Sequence, residues 1–184
     1  MKKTAVLVSL FVFALALIST SSCKKDKENM QQPTLYDSLG GTTKVMDPAH
    51  SSVMIEKGRL GIRSVVDSTI FVIAADPELN GFFSTLLAEV TSGNTSGFEA
   101  LSKNLTDFFC VATGAKNFTY SGMNMSDAHN PAKNSRMNGK ADNMDFDQFI
   151  TDLVSGAQKN GLPSNLISSV GKLVETLRGQ VVQQ

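Results

Sequence analysis

Apolar residues recur at helical spacing along most of this chain, and no stretch alternates with period two for long. Ile62, Val65, Val66, Thr69, Ile70 and Ile73 fall on one helical face, and Asp76-Pro77 stops the run because the residue before a proline is pushed out of the helical region. Many of these residues are β-branched, so a strand is the alternative; length and the 3–4 spacing favour helix. Leu101, Leu105, Phe108, Phe109 and Ala112 make a second stripe. Phe146, Phe149, Ile150, Leu153, Val154 and Ala157 make a third, the clearest of all, closed by Asn160-Gly161. Pro163 and Ser164 open a last helix carrying Leu166, Ile167, Val170, Leu173, Val174 and Leu177.

Shorter pieces fill the gaps. Residues 34–41 read as a helical turn or two stopped by paired glycines, and Leu79, Phe82 and Phe83 suit a short helix or turn. Residues 91–97 read as a flexible loop and 130–143 as a polar loop with Pro131 and Gly139. Residues 42–60 mix Pro48, Gly58 and scattered apolar positions and support no assignment. The pattern predicts an all-α domain over 34–184.

The N-terminus is of another kind. Met1-Lys-Lys, an apolar run from Ala5 to Ile18 and then Thr20-Ser-Ser-Cys23 read as a secretory signal, because the run is shorter than the roughly 20 residues that span a bilayer. Small residues before a cysteine resemble a bacterial lipoprotein signal, which implies a signal peptide over 1–22 and lipid on Cys23; the alternative is an ordinary signal with a free cysteine nearby. Residues 23–33 would be a polar tether. Removing 1–22 takes away Lys2 and Lys3 and leaves 15 basic residues against 17 acidic ones. No basic patch with interleaved aromatics is present, so nucleic acid is not expected as a partner. Cys23 and Cys110 are the only cysteines, so no disulfide framework supports the fold.

Candidate chemistry is sparse. There is no paired carboxylate site, no nucleophile with a base and no phosphate loop. Asp142, Asp145 and Asp147 lack the glycine and closing glutamate of a calcium loop. What remains is the stretch from Leu101 to His129. There an apolar helix leads through a glycine-punctuated turn into a short helix with one of only two histidines, in a chain without tryptophan. An imidazole facing an apolar wall is what non-covalent haem requires, and there is no Cys-x-x-Cys-His for covalent attachment.

These pieces, in order, resemble the truncated haemoglobins, short globins built as a two-over-two helical sandwich. The resemblance rests on Leu35-Tyr-Asp-Ser-Leu-Gly-Gly41, Ala75-Asp-Pro77 with Phe82-Phe83, and Phe108-Phe109 running to Gly114. Tyr120-Ser-Gly122, Met125-Ser-Asp-Ala-His129 and Gly161-Leu-Pro163 complete it. It implies that His129 is the proximal, iron-binding histidine of a haem b held non-covalently. Ile70, Phe83, Leu101, Leu105 and Phe109 would line the pocket, with Tyr120 and Met125 at its edge. The carbonyl of Met125, or others at the helix end, would accept a hydrogen bond from the second ring nitrogen of His129 and fix the tautomer; the alternative is a histidine that only caps a helix.

The chain also departs from the family. Extra residues lie near 42–60, 88–98 and 130–143. Family members often present a tyrosine and a glutamine to bound oxygen, and here those positions hold Ile70 and Leu105, with Leu101 a turn before. His50 reads as an exposed loop histidine, with an internal sixth iron ligand as the sharper reading; Met46 and Met54 are further such candidates. Lys103 and Lys116 fall where propionates would be met, though surface lysines are the default. Cys110 reads as a buried small hydrophobe.

The resemblance therefore implies a haem protein in the bacterial envelope, anchored to the membrane through lipidated Cys23, that binds a diatomic gas (O2, NO or CO) rather than turning over a substrate. The alternatives are a haem-free globin-fold lipoprotein acting as a binding module, and an unrelated helical lipoprotein.

Overall fold

The computed structural model describes residues 32–184. The signal segment, Cys23 and most of the tether lie outside the described residues. Helix α1, Leu35–Ser38, begins at a capping box in which Thr34 Oγ1 accepts from the Asp37 N–H while an Asp37 oxygen accepts from the Thr34 N–H. Gly40 and Gly41, with φ of 127° and 59°, then turn the chain in a way that side chains resist.

The stretch that supported no assignment is an antiparallel hairpin, β1 Lys44–Asp47 and β2 His50–Glu56, pairing Lys44 with Glu56, Val45 with Ile55 and Met46 with Met54. It is the one departure from an all-helical reading among the described residues. Only Ile55 and Glu56 of β2 are buried, so no hydrophobic alternation was there to read. Polar bonds hold the hairpin down instead. Arg63 grips Asp47 through two bonds of 2.6 and 3.0 Å. Buried Glu56 accepts from the Tyr36 hydroxyl (2.8 Å), Asn117 (3.0 Å) and Lys44 (3.3 Å).

Helix α2, Lys57–Ala75, starts earlier than its apolar stripe and ends at Asp76-Pro77 as the sequence predicts. A 3-10 turn, Asn80–Phe83, leads into α3, Ser84–Thr91, which the sequence reading lacked. Helix α4, Ser96–Ala112, takes in Ser96 and Gly97 from the expected loop. The short α5, Met125–Ala128, follows. Next come α6, Asn143–Lys159, and α7, Ser164–Glu175. The last apolar stripe is broken after Glu175, and α8, Arg178–Val181, resumes it. Arg178 marks the break, bonding Glu175 and Asp147 while its guanidinium lies 4.4 Å over the Phe146 ring.

The pair α2/α4 packs across the pair α6/α7, giving the two-over-two helical sandwich. Its centre holds Tyr36, Ile62, Val66, Ile70, Phe109, Cys110, Phe146, Leu153, Val170 and Val174. Fully burying a side chain such as Phe146 is worth roughly 2–3 kcal/mol. Gly156 sets the α2/α6 approach, since a Cβ there would lie 2.8 Å from the Thr69 backbone nitrogen.

Candidate functional site

Helix α4 has two unlike faces. Ser102, Thr106, Phe109, Cys110 and the capping Thr113 are buried against the core. Leu101, Leu105 and Phe108, at spacings of four and three, share another face that is only half-covered. Phe109, expected in the pocket wall, is buried in the core, as is Ile70. Phe109 lines a separate cavity of about 290 Å³ with Ile62, Val66, Leu153, Leu162 and Val170. Phe108 shares the half-covered face with Leu101 and Leu105. Ile70 is buried in α2, and Phe83 is half-buried at the end of the 3-10 turn.

Gly114, at φ 100°, ends α4 beside Thr34. The segment beyond it is held by contacts that sequence spacing does not reveal. Arg59 of α2 bonds Asp107 at 2.6 Å and lies 4.7 Å over the Phe118 ring, and Asn117 reaches buried Glu56. Tyr120 packs edge-on to Phe108 with ring centres 5.5 Å apart, and its hydroxyl donates to the Met123 carbonyl at 2.6 Å. Gly122 is required beneath that ring, for a Cβ there would meet the Tyr120 ring at 2.6 Å.

Asn124 caps α5 by accepting from the Asp127 N–H at 2.9 Å. Half-buried Met125 then places its carbonyl 2.9 Å from His129 Nδ1, at the helix C-terminus. A carbonyl only accepts, so Nδ1 carries the proton and the lone pair is on Nε2. Burial pushes the His129 pKa below its ordinary 6.5, against the opposing pull of the Met125 carbonyl. The ring is thus neutral at pH 7 and able to coordinate a metal.

Other candidates are elsewhere. The His50 side chain, 71% exposed at the hairpin turn, lies 3.7 Å from Asp47, and Met46 and Met54 are exposed on the hairpin. Lys103 bonds Asp107 one turn along α4 at 2.7 Å. Cys110 is free and fully buried, its thiol pushed up to about 11 by desolvation.

The crystal structure of the Fe(III) form of truncated hemoglobin from Tetrahymena pyriformis is similar to this chain, with 22% identity and a TM-score of 0.58. The likeness covers 83% of this chain and 100% of that one. Structures of a tyrosine-to-phenylalanine and a glutamine-to-glutamate mutant of the same protein match equally. The fold is that of a truncated haemoglobin. No family model matches the sequence, and neither does any curated protein. In this chain the hairpin lies between α1 and α2.

Proposed function

We propose that this chain is a haem-binding globin of the bacterial envelope that reversibly binds a diatomic gas. The observation that carries the reading is His129: neutral, half-buried, with Nδ1 committed to the Met125 carbonyl and Nε2 left as a ligand. Among the described residues no group of three or more His, Cys, Asp or Glu could hold a metal ion. Iron held by one imidazole must bring its remaining donors with it, as it does in a porphyrin. The half-covered apolar face of Leu101, Leu105 and Phe108 suits a porphyrin face.

Haem would supply the iron position at which the gas is held. His129 would hold the iron, its orientation set by Met125. Ile70, Leu101 and Leu105 would exclude water from the opposite side. Their side chains carry no hydrogen-bond donor, and the Tyr120 hydroxyl is engaged with Met123. Dioxygen draws negative charge when held reversibly, so a donor-free wall forgoes roughly 1–3 kcal/mol. CO and NO remain nearly neutral and lose less. The pocket therefore favours NO or CO, or weak oxygen binding.

The test is titration of the full chain with haemin, followed by reduction and exposure to CO and O2. A saturating one-to-one haem complex that takes CO readily and holds O2 weakly is expected. No specific haem uptake would leave a haem-free binding module as the account of the fold.

A further inference from the structure

Two segments, 88–98 and 130–143, meet through an ion pair beside the start of α4. The second starts directly after His129. Asn134 Nδ2 donates to the Ala128 carbonyl at 2.7 Å, which moors it to α5. Further along, the Asn138 N–H donates to Phe82 O at 3.1 Å and its side-chain amide to Gly81 O at 3.0 Å. A Cβ on Gly139 would come within 3.3 Å of the Phe82 ring. This strap thus runs from the candidate iron ligand to the 3-10 turn that ends in Phe83. Between its moorings, Arg136 grips Glu89 of α3 through two parallel bonds of 2.7 and 2.8 Å.

The pair is seated over the start of α4. A Cβ at Gly97 would overlap Glu89 Oε2 and lie 2.8 Å from Arg136 Nη1. Gly97 is one turn before Leu101, on the same helix face. The absence of a side chain at Gly97 leaves room for this ion pair.

We propose that Glu89 and Arg136 form a clasp beside the start of α4, one turn from Leu101, which holds the strap after His129 in place and so slows the loss of haem bound at His129. The proposal rests on the haem reading above. An exposed ion pair contributes little to global stability, but one that ties the middle of a strap to a helix between its moorings governs the strap's local opening. Its effect belongs in the rate of haem loss.

The test loads the full chain with haemin and follows haem transfer to an excess of a scavenging apoglobin. Arg136→Gln and Glu89→Gln should each speed loss roughly two- to fivefold, the magnitude of an exposed ion pair. The double variant should be no faster than either single. Exchanging the charges, Glu89→Arg with Arg136→Glu, should return the rate to within about twofold of wild type. Salt should speed loss from the wild type and leave the double variant unchanged. Arg136→Gln and Glu89→Gln should leave the melting temperature of the haem-free chain within about 2 °C of wild type, which separates the clasp from general destabilisation. Equal rates for wild type and Arg136→Gln, or an exchange variant as fast as the singles, overturn the clasp alone. A wild type that takes up no haemin overturns both the clasp and the reading beneath it.

Discussion

On the haem reading, Ile70 is the residue whose side chain would set gas preference. It is buried in α2 and stands where the resemblance places a tyrosine. Ile70→Tyr is expected to add a donor worth about 1.4 kcal/mol, raising oxygen affinity about tenfold with a much smaller change for CO. Wild-type oxygen affinity matching that of Ile70→Tyr would show that another donor already reaches the gas. A second residue-scale consequence concerns Asp152, 4% exposed with Oδ2 lacking a hydrogen-bond partner. Burial first, then the Asp76 carboxylate beside it, pushes its pKa from 3.8 to about 6. Because the folded state holds this proton more tightly, the group's favourable contribution is complete below the unfolded value and is lost as pH rises through about 6. Asp152→Asn should therefore be more stable than wild type by about 2 kcal/mol at pH 8 and nearly equal to it at pH 4, by urea melts. An equal or lower stability at pH 8 would mean that the ionised carboxylate has a compensating partner.

Among the elements, the α2/α6 crossing depends on the absence of a side chain at Gly156. The obstructing atoms include the Thr69 backbone nitrogen and Cα, at 2.8 and 3.0 Å from a built Cβ, and backbone of a packed helix gives way less readily than a side-chain end. Gly156→Ala should cost about 1–3 kcal/mol by overpacking, even after its gain in helix propensity. Gly171 in α7 has nothing within 4 Å of a built Cβ, so Gly171→Ala should hold or raise stability by up to about 1 kcal/mol. Thermal melts of the pair check this; equal effects would mean that the helices separate freely at Gly156.

For the whole molecule, the four long helices were legible because each carries a continuous apolar stripe against one core. The hairpin was not, because Asp47, Glu56 and their partners Arg63, Tyr36 and Asn117 hold it by polar contacts between residues far apart in sequence. Helix α3 was hidden for a related reason: Leu86 is its one buried residue, too little for a periodic signal. At the site, the Met125–His129 bond was readable from a spacing of four, whereas the half-covered position of Phe108 beside buried Phe109 was not. The envelope reading belongs to this scale too. Among the described residues no single helix is long and apolar enough to cross a membrane, and the attachment proposed is lipid on Cys23. In a bacterium that processes lipoproteins, Cys23→Ala should release the protein from membranes or leave it unprocessed. Equal membrane association of both forms, each with its signal removed, would contradict lipid anchoring.

The central claim is that His129 holds haem iron, and the visible spectrum of the haemin-loaded chain beside its His129→Ala and His50→Ala variants tests it most directly. His50→Ala should keep the wild-type spectrum. His129→Ala should lose tight binding, or show an altered spectrum that added imidazole restores. Loss of haem in His50→Ala with an unchanged spectrum in His129→Ala would contradict the assignment.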